Sequence, residues 1–78
     1  MRNSDRFPSP GIVAHIQEIY PKGCRVRLIH LGEDPYSKLV PGDLGTVSVV
    51  DDTGTIFVDW DSGSTLGMVY GVDKIRKL

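Results

Sequence analysis

The residues best placed by type and spacing to do chemistry are two acidic tetrapeptides, Asp52-Thr53-Gly54-Thr55 and Asp61-Ser62-Gly63-Ser64. Asp-Thr-Gly and Asp-Ser-Gly could supply the paired carboxylates of acid proteolysis, in which two aspartates share one proton across a cleft. That chemistry needs the carboxyl groups face to face and apolar residues framing each loop. Here the framing residues are missing, and each tetrapeptide lies between β-favouring runs, where Asp and Gly are preferred for backbone reasons. Both are read as turns.

Cys24, His15 and His30 are the remaining candidates for metal or nucleophile chemistry. Structural zinc takes four ligands, usually in close pairs, and no such pair occurs. No nucleophile signature and no phosphate-binding glycine loop is present. The sequence therefore predicts a protein that is not an enzyme, with no cofactor, no metal site and no small-molecule substrate. With one cysteine no internal disulfide can form, which fits a reducing compartment and a cytoplasmic location.

Charge offers a first candidate surface. The net charge is −1, but from Leu28 to Thr65 seven acids face one lysine, whereas the flanks hold eight bases against three acids. If the first and last strands pair, Arg25 and Arg27 come beside Lys74, Arg76 and Lys77. The resulting stripe could contact the phosphates of a nucleic acid, each contact adding a salt-dependent increment. The competing reading is a solvated strand face that blunts a sheet edge, and the lack of interleaved exposed aromatics for base stacking favours it.

The second candidate surface is the stretch from Gly32 to Asp43, long for a connection in a small β domain and of the kind that often binds a partner. Asp34, Tyr36 and Asp43 are its candidate protein-binding residues. Aromatic residues around a proline-bearing loop can form a peptide groove, and Trp60 and Tyr70 follow it. Trp60 shares the face of Ile56 and Val58 and reads as a core anchor. Tyr36 either faces a partner or pins the loop down.

The elements that must position these groups are mainly β. The run 41–60 reads as a turn at Pro41-Gly42, a β-branched strand Thr46 to Val50, a tight turn Asp51 to Gly54 and a returning strand Thr55 to Trp60: a hairpin. Before it, Cys24 to Leu31 alternates, with Val26 and Leu28 inward and Arg25 and Arg27 outward; Ile29 breaks the pattern, implying burial on both faces or a bulge. After it come a turn at Asp61-Ser62-Gly63, a shorter strand Ser64 to Val69, a break at Gly71 to Asp73 and a last strand Lys74 to Leu78 with Ile75 inward. Ser9 and Pro10 start an amphipathic helix whose apolar residues are Ile12, Val13, Ile16, Ile19 and Tyr20, ended by Pro21 and Gly23.

Seventy-eight residues make room for one domain, buried to only about 60% of its unfolded surface. The expected layout is a flexible tail over 1–8 and, over 9–78, a five-stranded SH3-like barrel, closed or half-closed, with the N-terminal helix; closure would deal with exposed edges. The longest apolar run is far short of a membrane span, and the first ten residues lack the apolar core of a secretory signal.

The order Tyr20-Pro21-x-Gly23-x-Arg25-Val26-Arg27-Leu28, Asp34-Pro35-Tyr36, Pro41-Gly42-x-x-Gly45-Thr46-Val47 and Val58-x-Trp60-Asp61-x-Gly63-Ser64-x-Leu66-Gly67 resembles a small bacterial family catalogued only as a domain of unknown function. The resemblance runs from Ser9 to Ile75. It departs at Pro10-Gly11, where a more helical, charged start is expected. It implies a short protein of plasmids, integrative elements or phages, and it transfers no site residues. Function is accordingly expected to be non-enzymatic binding: of nucleic acid or a nucleic-acid-processing complex through the stripe, or, alternatively, of a host enzyme as a mobile-element interaction factor or inhibitor acting through the acidic loop.

Overall fold

The computed structural model describes residues 9–32 and 38–78. The expected tail and the candidates Asp34 and Tyr36 lie outside the described residues. One helix, α1 (Pro10–Ile19), precedes five strands: β1 (Arg25–His30), β2 (Leu44–Val50), β3 (Ile56–Trp60), β4 (Thr65–Met68) and β5 (Lys74–Lys77). All pairings are antiparallel and form one sheet in the order β4-β3-β2-β1-β5. The class is mainly β. The first and last strands pair as expected, and among the described residues β4 and β5 are left as the edges.

The helix forms despite Pro10-Gly11. The Ser9 hydroxyl accepts the Ile12 N–H at 3.3 Å, and Pro10 occupies the first turn, where a missing N–H costs nothing. Pro21 follows the C-cap Tyr20, whose N–H still reaches the Ile16 carbonyl. Val13 and Ile16 are buried, and the Gln17 amide donates to the Val50 carbonyl at 3.3 Å, tying α1 to the end of β2. Of the five apolar positions expected to face inward, Ile12 and Ile19 instead stay 39% and 36% exposed.

The core is the inner face of the sheet. Val26, Leu28, Val47, Val58 and Met68 are almost completely buried, joined by Ile16, Leu39, Ile56 and Trp60. Strict alternation on β3 puts Ile56, Val58 and Trp60 inside and Phe57 and Asp59 outside. The Trp60 indole N–H donates to the Leu66 carbonyl at 3.2 Å, which satisfies the one polar atom of an otherwise apolar anchor. Ile29 is the extra residue of a bulge, since pairing jumps from Leu28–Ile75 to His30–Lys74.

Two glycine-containing features carry this sheet. At Gly45 a side chain would meet Val58 Cγ1 at 2.5 Å and Trp60 Cε3 at 2.8 Å, so the bare backbone lets Val58 and Trp60 of β3 pack close against β2. The β2–β3 turn places Gly54 at φ 82° and is held by Asp51. One carboxylate oxygen of Asp51 accepts the Thr53 hydroxyl at 2.7 Å, the Thr53 N–H at 2.9 Å and the Thr55 N–H at 3.0 Å. Those bonds, the Thr53 hydroxyl foremost, hold the Asp51 carboxyl below the ordinary carboxylate range.

Gly45→Ala should cost about 1–3 kcal/mol by overpacking, read as a lower urea midpoint at unchanged slope. Asp51 should make stability pH-dependent. Its folded pKa is depressed, so its contribution is complete above the unfolded value near 3.9 and is lost as pH falls through the folded one. Asp51→Ala is therefore expected to lower the thermal midpoint at neutral pH, with the gap to wild type narrowing as pH falls below about 3.9.

Candidate functional site

The sheet brings only part of the predicted cationic stripe together. Arg27 stands directly opposite Arg76, and Lys74 opposite His30. Alternation puts Lys74 and Arg76 on one face of β5 and Lys77, opposite the buried Val26, on the other. Arg25 is already engaged. Its guanidinium grips both carboxylate oxygens of Asp61, at 2.8 and 2.6 Å, and also donates to the Thr46 hydroxyl. That bond in turn depresses the Asp61 carboxyl and raises the Arg25 guanidinium. Three cations of the expected five, Arg27, Lys74 and Arg76, thus share the outer face without an ion pair among the described residues.

Of the acidic candidates, Asp43 is spent on backbone. The Asp43 carboxylate accepts the Val40 N–H at 3.1 Å, closing its own turn after Pro41-Gly42. It serves that turn first. Asp61 is clamped by Arg25, and Asp52 lies exposed in the hairpin turn, so the two tetrapeptides are turns as read. Among the described residues no three His, Cys, Asp or Glu side chains converge as metal ligands. Cys24 is half-buried against the core.

One concave feature is something the sequence reading missed. A groove of about 650 Å³ runs between α1 and the sheet's two edge strands. Ile12, Ile16 and Ile19 form its helical wall, Met68 comes from β4, and Lys74 and Ile75 come from β5. Ile29, the bulge residue, and Tyr70, in the β4–β5 turn, complete the rim at 44% and 52% exposure. Tyr20 also lines it; burial pushes its phenol up, with a smaller push from neighbouring Cys24. Two signals pointed here. Five apolar helix positions cover more arc than one sheet face can bury, and Ile29 interrupts an otherwise regular strand.

Asp73 fixes the groove's far end. One carboxylate oxygen accepts the Val69 N–H at 2.8 Å across the β4–β5 turn, and the other accepts the Gly32 N–H just beyond β1. A Cβ on Gly32 would collide with Val72 and Asp73, so a glycine lets the two segments meet.

This arrangement lies within one sequence signature. The chain belongs to the family described as Domain of unknown function (DUF4314), whose model matches residues 9–78. The match takes in α1, all five strands and every wall of the groove. No curated protein matches the chain. Among the described residues no helix is long and apolar enough to cross a membrane.

Asp73→Ala should free both amides. Amide exchange at Gly32 and Val69 is expected to speed up beyond that of the β2–β3 hairpin, with a stability loss on the order of 1 kcal/mol.

Proposed function

We propose that this protein is a non-enzymatic binding module whose partner is a protein, captured in the groove between α1 and the β4–β5 turn. The observation that carries the reading is the groove's wall. Ile12, Ile19, Ile29, Val69 and Tyr70 are all more than a third exposed and all line it. Contiguous exposed apolar surface on so small a domain marks a docking site rather than leftover surface. Its mixture of aliphatic residues, one exposed tyrosine and a few polar groups resembles the core-and-rim composition of interfaces. An accessory or inhibitory role at another protein, the alternative drawn from the sequence, fits this site, with the groove in place of the acidic loop.

A second reading, nucleic acid along β1 and β5, is favoured by the Arg27–Arg76 pair. Like charges directly opposite each other cost the folded state about 0.2–1 kcal/mol, which a bound phosphate would offset. With Arg25 neutralised by Asp61, three cations remain for it, and each phosphate contact contributes a salt slope of only about 0.7–0.9. The protein reading therefore ranks first.

A tagged pull-down from a bacterial lysate, with and without nuclease and read by mass spectrometry, separates the two. Partners are expected to survive nuclease. They should be lost on Ile19→Glu and on Tyr70→Ala, with at least about tenfold weaker binding of the purified partner. They should be retained on Val49→Thr, an exposed position away from the groove. Partners that vanish with nuclease and depend on Arg27 and Arg76 instead would assign the second reading.

A further inference from the structure

We infer that the groove's ligand is an extended peptide of alternating apolar and acidic residues, added as a further strand to the free edge of β5. This rests on the protein-binding reading and specifies its ligand.

The groove opens between the two sheet edges, because Met68 of β4 and Ile75 of β5 both wall it while β4 and β5 do not pair among the described residues. The hydrogen bonding of β5 fixes which backbone groups are on offer. The Leu78 N–H donates to the Arg25 carbonyl at 3.0 Å, and Arg27 faces Arg76 two residues along. In an antiparallel ladder hydrogen-bonded pairs alternate with unbonded ones. Arg76 therefore turns its N–H and C=O to β1, and Ile75 and Lys77 turn theirs to the open edge. An added strand gains affinity from such main-chain groups and specificity from its alternate side chains.

Those side chains meet two different surfaces. Residues pointing inward enter the apolar groove beside Ile75, Ile29 and Tyr70. Residues pointing outward flank Lys74 and Arg76, with His30 and Arg27 opposite. The acid at this end, Asp73, has its carboxylate occupied by the Gly32 and Val69 amides. Among the described residues the outer side of the edge therefore presents cations without competing carboxylates, which an acidic strand complements and a basic one does not. A second copy of the same strand is excluded on the same ground. Pairing Lys-Ile-Arg-Lys with itself stacks cations against cations, the device by which edge strands avoid self-association.

The test is selection of displayed random dodecapeptides on the immobilised full chain, followed by fluorescence anisotropy with one labelled winner. Winners are expected to alternate aliphatic or aromatic residues with Asp or Glu. Affinity should fall about tenfold or more on Arg76→Glu, and likewise on Lys77→Pro, which removes an edge N–H while leaving the β1–β5 bonds intact. Because Lys77→Pro could disturb folding, the winner is also N-methylated at alternate backbone positions, which breaks the same ladder from the ligand's side. Apolar winners without acidic residues, bound equally by Arg76→Glu, would overturn the inference and leave the groove reading standing. Selection that proceeds equally on Ile19→Glu would overturn both. Competition of the winner by a labelled single-stranded oligonucleotide, lost on Arg27→Glu, would assign the edge to nucleic acid and overturn the inference as well.

Discussion

Everything in this fold depends on β1 being hydrogen-bonded along both of its edges. Val26 and Leu28 are fully buried, and a buried strand must have its amides and carbonyls paired on either side. β2 supplies one side and β5 the other, the latter from the far end of the chain. Once β1 is held this way, its outward side chains are forced onto an open face. Arg25 then reaches Asp61 across β2, and Arg27 is brought opposite Arg76. The pleat decides which charges meet.

Most of this architecture was legible in the sequence because it rests on short-range rules. The β2–β3 hairpin follows from Asp51 to Gly54 between β-branched runs, and the helix start follows from Ser9-Pro10. The β1 alternation put Val26 and Leu28 inside and Arg25 and Arg27 outside, as observed, and of the two readings of Ile29, burial on both faces or a bulge, the bulge is the one found. Strand ends moved by a residue or two: Thr55 was expected in the strand but its N–H is taken by Asp51.

The site was less legible, for reasons of chemistry rather than pattern. Charge counts treat every arginine alike, yet Arg25 has a carboxylate partner 36 residues away and, among the described residues, Arg27 has none. Asp43 looked available as an exposed acid, but the turn it closes claims its carboxylate. The groove escaped notice because its walls come from the helix, the bulge and two edge strands far apart in sequence. Apolar residues on an amphipathic helix are read as core by default; only the sheet's finite width shows that Ile12 and Ile19 are left over.

The pairing of β1 with β5 also orders events in time. β1 emerges from the ribosome some 45 residues before the strand that satisfies its second edge. Until Lys74 to Lys77 are made, the chain can assemble β1 through β4 as a meander, but Val26 and Leu28 sit in a strand with one unpaired side. Contacts this distant in sequence form late, since loop closure must precede their reward. The Asp73 carboxylate, reaching back to Gly32 immediately ahead of β5, is the first group able to bring the returning chain alongside. Until β5 is made, β1 therefore keeps one edge open, and the cationic strand Lys74 to Lys77 is what shuts it.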